Sequence, residues 1–108
     1  MNKDQQRILE YLNCNAIGLN NRKSSSEIRD ALNLNGGGPT NENIRDLIRG
    51  MILDHECLIG SLMYSKGYWI IENEEELKMV IDHLYGRANG VRKRADALKF
   101  NWEINDWS

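Results

Sequence analysis

The amino-acid sequence predicts a mainly α-helical fold with one small β-hairpin and a long C-terminal helix. Three observations support this prediction. The first half of the chain contains three short stretches in which apolar residues recur every three or four positions, the spacing of one helix face. Two short runs rich in aromatic and β-branched residues follow, as in the strands of a hairpin. A final long stretch has helical periodicity again, and the length of 108 residues leaves room for a single domain.

The first two helices are predicted to be short. Residues 4–13 have one apolar face, and the Asn-rich stretch 13–23 is predicted to be a loop. The serines from Ser24 onward begin the second helix, because a Ser hydroxyl can accept a hydrogen bond from an amide of the first turn while Glu27 returns one to the cap. Three consecutive glycines at 36–38 then prevent the helix from continuing.

The third helix has the clearest amphipathic pattern of the three. Thr40 is its predicted N-cap, and apolar residues follow from Ile44 to Ile52 at helical spacing. The pattern ends near residues 54–56. This helix should therefore bury one face and expose the other.

A β-hairpin is predicted from two short apolar runs, 57–62 and 68–71, which are joined by residues 63–67. Strands this short are stable only when they pack on the helices. Because side chains alternate along a strand, Tyr68 and Trp69 should face opposite ways, and one of them is expected in the core.

The C-terminal helix has an acidic start and a long apolar seam. Residues 73–76 combine an Asn cap with three glutamates, which suit the positive end of a helix. Alternating spacings of four and three then give a heptad seam: Leu77, Ile81, Leu84, Ala88, Val91, Ala95, Leu98 and Trp102. We therefore divide the chain into a compact domain at 1–72, this helix at 73–102 and a tail at 103–108.

Composition favours a protein of the cytoplasm. Hydrophobic residues are 41% and charged residues 28% of the chain, and no apolar run approaches the roughly 18 residues needed to cross a membrane. The polar first residues do not resemble a signal peptide. Cys14 and Cys57 lack a spacing or context that indicates a disulfide, so we expect two free thiols.

Charge is unevenly distributed although the net charge is only -2. Residues 72–85 contain five acids and one lysine, net -4, whereas residues 86–100 contain five basic residues and one acid, net +4. A nucleic-acid surface on this chain must therefore be a local patch.

Catalytic chemistry has little support in the sequence. The chain contains neither a phosphate-binding Gly-Lys-Ser/Thr loop nor a Gly-x-Ser-x-Gly elbow. His55, Cys57, His83 and Cys14 match no zinc-ligand spacing. We expect no catalytic residues, no metal, no cofactor and no small-molecule substrate.

The order of helix, helix, glycine-rich turn, helix, hairpin and helix is that of a winged helix-turn-helix. The stretch from Ile59 through the Ser65-Lys66-Gly67-Tyr68 turn, the acidic cap at 73–77, and the pairs Arg87-Ala88 and Arg94-Ala95 resemble a group of small winged-helix proteins of bacteriophages and prophages. The resemblance covers about residues 5–100, and the glycine-rich turn is longer than is typical. It implies a DNA-binding role in phage transcription control or replication, in the host cytoplasm.

Such a domain would contact double-stranded DNA through three sets of residues. In a winged helix the third helix enters the major groove, where Arg reads guanine and Asn reads adenine. The wing and the start of the second helix contact phosphates. The predicted DNA-binding residues are Asn41, Arg45 and Arg49 in the helix, Tyr64, Ser65 and Lys66 in the wing, and Arg22 and Lys23 before the second helix. A solvated face with ion pairs such as Asp46–Arg49 is the alternative interpretation.

The heptad seam leaves further alternatives open. Its distal part could join two copies in a homodimer; the predicted interface is Ala88, Val91, Ala95, Leu98 and Trp102. The whole seam could instead fold back on its own domain. The basic residues of 87–99 then either contact phosphate or flank an interface. A protein-interaction module that uses Trp102 and Trp107 is the main rival to DNA binding, and a phage protein that blocks a host factor with the acids of 72–76 is another.

Overall fold

A computed structural model describes residues 1–62 and 67–104 of the chain. In order, the elements are α1 (Lys3–Asn15), a 3-10 turn (Leu19–Asn21), α2 (Ser25–Leu32), α3 (Glu42–His55), β1 (Ile59–Ser61), β2 (Tyr68–Ile70) and α4 (Glu74–Ile104). This order confirms the mainly helical fold with a small antiparallel hairpin and a long C-terminal helix.

The ends of α2 and α3 test the predicted caps. Ser24 caps α2 as expected: its Oγ accepts from the Glu27 amide at 3.0 Å, and the Glu27 carboxylate accepts from the Ser24 amide at 3.1 Å. Thr40 was the wrong cap for α3. Asn41 occupies the cap position in the left-handed conformation, with a φ of 55°, and its side chain makes no capping bond. That side chain instead forms hydrogen bonds to residues of α2.

The three N-terminal helices enclose the core with one residue of the hairpin. The buried apolar cluster consists of Ile8, Leu12, Ala16, Ile28, Ile44, Ile48, Met51 and Ile59. Spacings of three and four along α1 and α3 place most of these side chains on the faces that the sequence predicts. Ile52 departs from the expected pattern, since 42% of its surface is exposed.

β2 is the middle strand of the small β layer. On one side it pairs with β1 in antiparallel register. On the other side, Lys23 and Tyr68 exchange backbone hydrogen bonds of 2.9 and 2.8 Å, and Ile70 bonds to Ala16 and Gly18. The prediction of a loop at 13–23 therefore missed the backbone pairing of this segment with β2. This segment satisfies the second edge of β2, which a two-stranded hairpin would leave unpaired.

The hairpin separates the main core from the start of α4. Trp69 is fully buried and Tyr68 half-buried, so the expected alternation of these two side chains is confirmed. Trp69 faces away from the helical core, toward Gly60 of the neighbouring strand. A Cβ at Gly60 would lie 2.8 Å from the indole ring, so only glycine leaves room for it. Val80, near the start of α4, is also buried.

Beyond its first three turns, α4 leaves the domain. Every residue from Leu84 to Ile104 is exposed, and the molecule extends 61 Å along its longest axis. Within one chain, therefore, the distal seam does not fold back on the domain. None of the described helices is long and apolar enough to cross a membrane.

Candidate nucleic-acid interface

A buried polar cluster joins the start of α3 to the start of α2. The Asn41 side chain is 3% exposed; its Oδ1 accepts from Arg29 at 2.9 Å, and its Nδ2 donates to Ser25 and Ser26 at 3.1 and 3.0 Å. The expectation that Asn41 lies on the exposed face, ready to contact a base, was therefore wrong. Its partners are 12 to 16 residues away in the sequence, and local spacing does not reveal them.

The exposed face of α3 alternates in charge. Glu42, Arg45, Asp46 and Arg49 line a shallow depression on this face. Arg49 and Asp46 lie 3.6 Å apart, with both side chains about two-thirds exposed. An exposed pair of this kind contributes only about 0.3 to 0.5 kcal/mol, so it does not prevent Arg49 from turning to another anion.

A wide, open groove of about 790 Å³ lies beside this face. Its walls come from the start of α2, the turn before α3, the hairpin and the third turn of α4. The lining residues are Ser24, Ser25, Ser26, Pro39, Thr40, Asn41, Arg45, Ser61, Leu62, Gly67, Tyr68, His83, Leu84 and Arg87. Two arginines, one histidine and six hydroxyl-bearing residues line the groove, and none of its described lining residues carries a carboxylate. We call this feature the α2–α4 groove.

Arg45 links α3 to the hairpin at the floor of the α2–α4 groove. Burial raises the pKa of Tyr68, and the nearby Arg45 guanidinium, which bonds to the phenol oxygen, partly offsets this rise. Tyr68 therefore remains neutral at physiological pH. The positive guanidinium and the neutral phenol present hydrogen-bond donors to an anion, and the opposing charges of Glu42 and Asp46 lie on the exposed face of α3 beside Arg45.

The other predicted DNA contacts fall into two groups. Lys23 pairs through its backbone with Tyr68, on the side of β2 away from β1. Arg22 packs its side chain over Gly67. Both therefore adjoin residues of the groove lining, Tyr68 and Gly67, although neither belongs to that lining. Tyr64, Ser65 and Lys66, the predicted wing contacts, lie outside the described residues.

Three residues of α4, His83, Leu84 and Arg87, line the groove, a position that the sequence analysis did not predict. Leucine spacing identified the seam, and the charge count identified the basic run that contains Arg87. Neither signal showed that Arg87 and His83 would line the same groove as Arg45 and the α2 serines. That proximity depends on the path of α4 past the hairpin, a tertiary feature.

The acidic start of α4 has a structural role. Glu76 accepts hydrogen bonds from the Leu19 amide at 3.0 Å, the Trp69 indole N–H at 3.1 Å and the Glu72 amide at 2.9 Å. These bonds, with the Leu19 amide contributing most, hold the pKa of the Glu76 carboxyl below its usual value. Glu76 therefore fastens α4 to both the hairpin and the turn at Leu19.

The predicted homodimer residues share one exposed stripe of α4. Ala88, Val91, Ala95, Leu98 and Trp102 are all exposed, with 61% of Val91 and 64% of Leu98 open to solvent. The homodimer itself stays a prediction.

Metal binding depends on the grouping of ligating side chains, and thiol chemistry on the ionisation of the cysteines. Within the described residues, no group of three His, Cys, Asp or Glu side chains could hold a metal ion. Burial raises the pKa of the Cys57 thiol, which disfavours the nucleophilic thiolate at neutral pH.

Comparisons of the chain with protein families, with curated proteins and with solved structures gave no match in any of the three.

Proposed function

We propose that this chain is a non-enzymatic, double-stranded DNA-binding protein of the winged helix-turn-helix class. The observation that carries the proposal is the α2–α4 groove, whose lining, among residues 1–62 and 67–104, contains Arg45 and Arg87 and no carboxylate. In a protein of net charge -2, a concave surface free of acids is where a polyanion would be least repelled.

The topology supports the same class. A winged helix-turn-helix needs two helices joined by a turn, of which the second enters the major groove, and a hairpin beside them. Here α2 and α3 flank the glycine-containing turn, the hairpin follows, and Lys23 supplies a third backbone pairing to β2. With the sequence resemblance, this arrangement favours a phage-type transcription regulator or replication accessory factor.

The proposed contacts divide into base reading and phosphate binding. Arg45 and Arg49 project from α3 one turn apart and would reach base edges in the major groove. Ser24 begins α2, where backbone amides point outward and favour a phosphate. Arg87 in the groove lining and Lys23, next to the lining residues Ser24 and Tyr68, would contact phosphates of the bound DNA.

Fluorescence anisotropy with mixed-sequence duplexes across a salt series tests the proposal. Four cations on phosphates or bases would give a steep fall in affinity with salt, and each cation removed from a phosphate would reduce the slope of log K against log salt by about 1. Arg87→Ala should show this reduction. Lys99→Ala removes the same charge about 18 Å further along the same helix and is the matched control. Equal losses from both variants would contradict docking at the groove.

One observation favours a second candidate, a winged helix that binds other proteins instead of DNA. The distal half of α4 exposes several large apolar side chains, among them Leu98 and Phe100. Absence of DNA binding at low salt by the folded chain would leave this candidate as the function.

A further inference from the structure

We infer that residues 84–102 of α4 form a docking surface for an acidic amphipathic helix of a different protein. This inference goes beyond DNA binding and does not rest on it. Its starting point is the exposure of the segment, because helices in proteins owe most of their stability to the packing of an apolar face, and this face is open to solvent in the described chain. More than half of the surface of Leu84, Val91 and Leu98 is open to solvent.

The apolar residues of the segment form one stripe. At heptad positions a and d lie Leu84, Ala88, Val91, Ala95, Leu98 and Trp102. Continuous helix geometry through Ile104 keeps these positions on one side of the rod. Alanine at two of the three a positions makes the stripe shallow in the middle, which permits the close approach of another helix. It also makes the stripe too poor in large apolar groups for strong burial in a lipid surface.

All charged residues that flank this stripe are basic. Positions e and g next to the seam contain Arg87, Arg92, Arg94 and Lys99 as their only charged residues. Asp96, the one acid of the segment, is at position b and therefore points away from the seam. A partner helix would thus meet positive charge on both sides of its apolar contact.

This charge pattern disfavours a second copy as the partner. In a parallel pair, position g of one helix meets position e of the other, which would bring Arg87 against Arg92 and Arg94 against Lys99. An antiparallel pair matches e with e and g with g, so its charged neighbours would also be basic with basic. A helix with apolar a and d positions and Glu or Asp at its flanks would match both the apolar stripe and the basic charge beside it.

A synthetic probe peptide tests the inference directly. The probe has about three heptads with Leu or Ile at a and d and Glu at e and g, so that it repels its own copies. A matched peptide carries Lys at e and g, and a second has the composition of the first with scrambled order. By fluorescence anisotropy with the full chain, the Glu-flanked probe should bind at least about tenfold more tightly than either control.

Two glutamate substitutions in the chain distinguish disruption of the apolar seam from the effect of an added negative charge. Leu98→Glu places a charge in the seam and should weaken binding of the probe by at least about tenfold. Ala97→Glu adds the same charge one residue away, on the side of the helix that faces away from the seam. This variant should retain most of the affinity for the probe. Arg45→Ala and Arg49→Ala should bind the probe normally, so failure of DNA binding and failure of this inference are distinguishable.

Three outcomes would overturn the inference. The scrambled acidic peptide could bind as tightly as the probe, which would reduce the interaction to charge alone. Sedimentation could show that the chain forms a dimer that Leu98→Glu dissociates, with no probe bound, which would establish the homodimer instead. Vesicles of phosphatidylserine and phosphatidylcholine could bind the segment while the probe does not, which would identify a lipid surface.

Discussion

Removal of the Glu76 carboxylate should detach the start of α4 from the hairpin. Glu76→Ala deletes the acceptor of three N–H groups, and one of these belongs to the fully buried Trp69. A buried donor without a partner costs about 1 to 3 kcal/mol, and the more exposed Leu19 and Glu72 amides, which can turn to water, add less. We therefore expect a loss of about 2 to 4 kcal/mol in the free energy of unfolding.

Urea denaturation followed by far-UV circular dichroism measures this loss. Glu75→Ala is the matched control, because it removes an exposed glutamate from the same turn and should cost at most about 1 kcal/mol. A difference between the two variants smaller than about 0.5 kcal/mol would refute the anchoring role of Glu76.

The ionisation of Glu76 should make the stability of the fold depend on pH. The pKa of Glu76 is lowered in the folded chain, so its contribution is fully present above the ordinary carboxyl value of 4.5 and is lost as the pH falls through the lower folded value. The stability advantage of the native chain over Glu76→Gln should therefore shrink in acid below about pH 4.5. A constant advantage down to strongly acidic pH would contradict this assignment.

Substitutions at four further positions test separate parts of the fold by unfolding or by circular dichroism. Gly60→Ala should destabilise the chain by about 1 to 3 kcal/mol, because its Cβ would meet the Trp69 ring at 2.8 Å; an unchanged midpoint would contradict that packing. Gly86→Ala and Gly90→Ala should instead increase the helical circular dichroism signal, since a Cβ at either position meets nothing and Ala favours a helix by about 1 kcal/mol; a decrease would show that these glycines lie in a close contact. Asn41→Gly keeps the left-handed backbone accessible and should lose about 1 to 3 kcal/mol, whereas Asn41→Ala should lose more; equal losses would show that the backbone conformation costs nothing.

Local chemistry explains what the sequence predicted. The Ser24–Glu27 capping pair, the alternation of Tyr68 with Trp69 and the helical conformation of residues 74–104 each depend on residues a few positions apart. Such patterns act in the chain before any tertiary contact forms, and they survived in the structure for that reason.

Contacts between distant segments explain what the sequence did not predict. Asn41 is a residue type that reads bases, and it lies at a helix start. Its side chain is instead hydrogen-bonded to Arg29 and to two serines of α2. The pairing of 16–23 with β2 has no alternating pattern of its own, because it consists of two isolated bridges. The candidate site was predicted only in part for the same reason: Arg45 follows from helix periodicity, whereas Arg87 reaches the groove through the path of α4.

Backbone amide NMR shifts of the full chain during titration with a mixed-sequence DNA duplex test the central claim most directly. The account predicts that the largest shifts fall on residues lining the α2–α4 groove and on the exposed face of α3, with Ser25, Arg45 and Tyr68 among them. Residues 92–102 should change little. Shifts confined to that distal basic segment, with Arg45 and its surroundings unaffected, would contradict DNA docking at the groove.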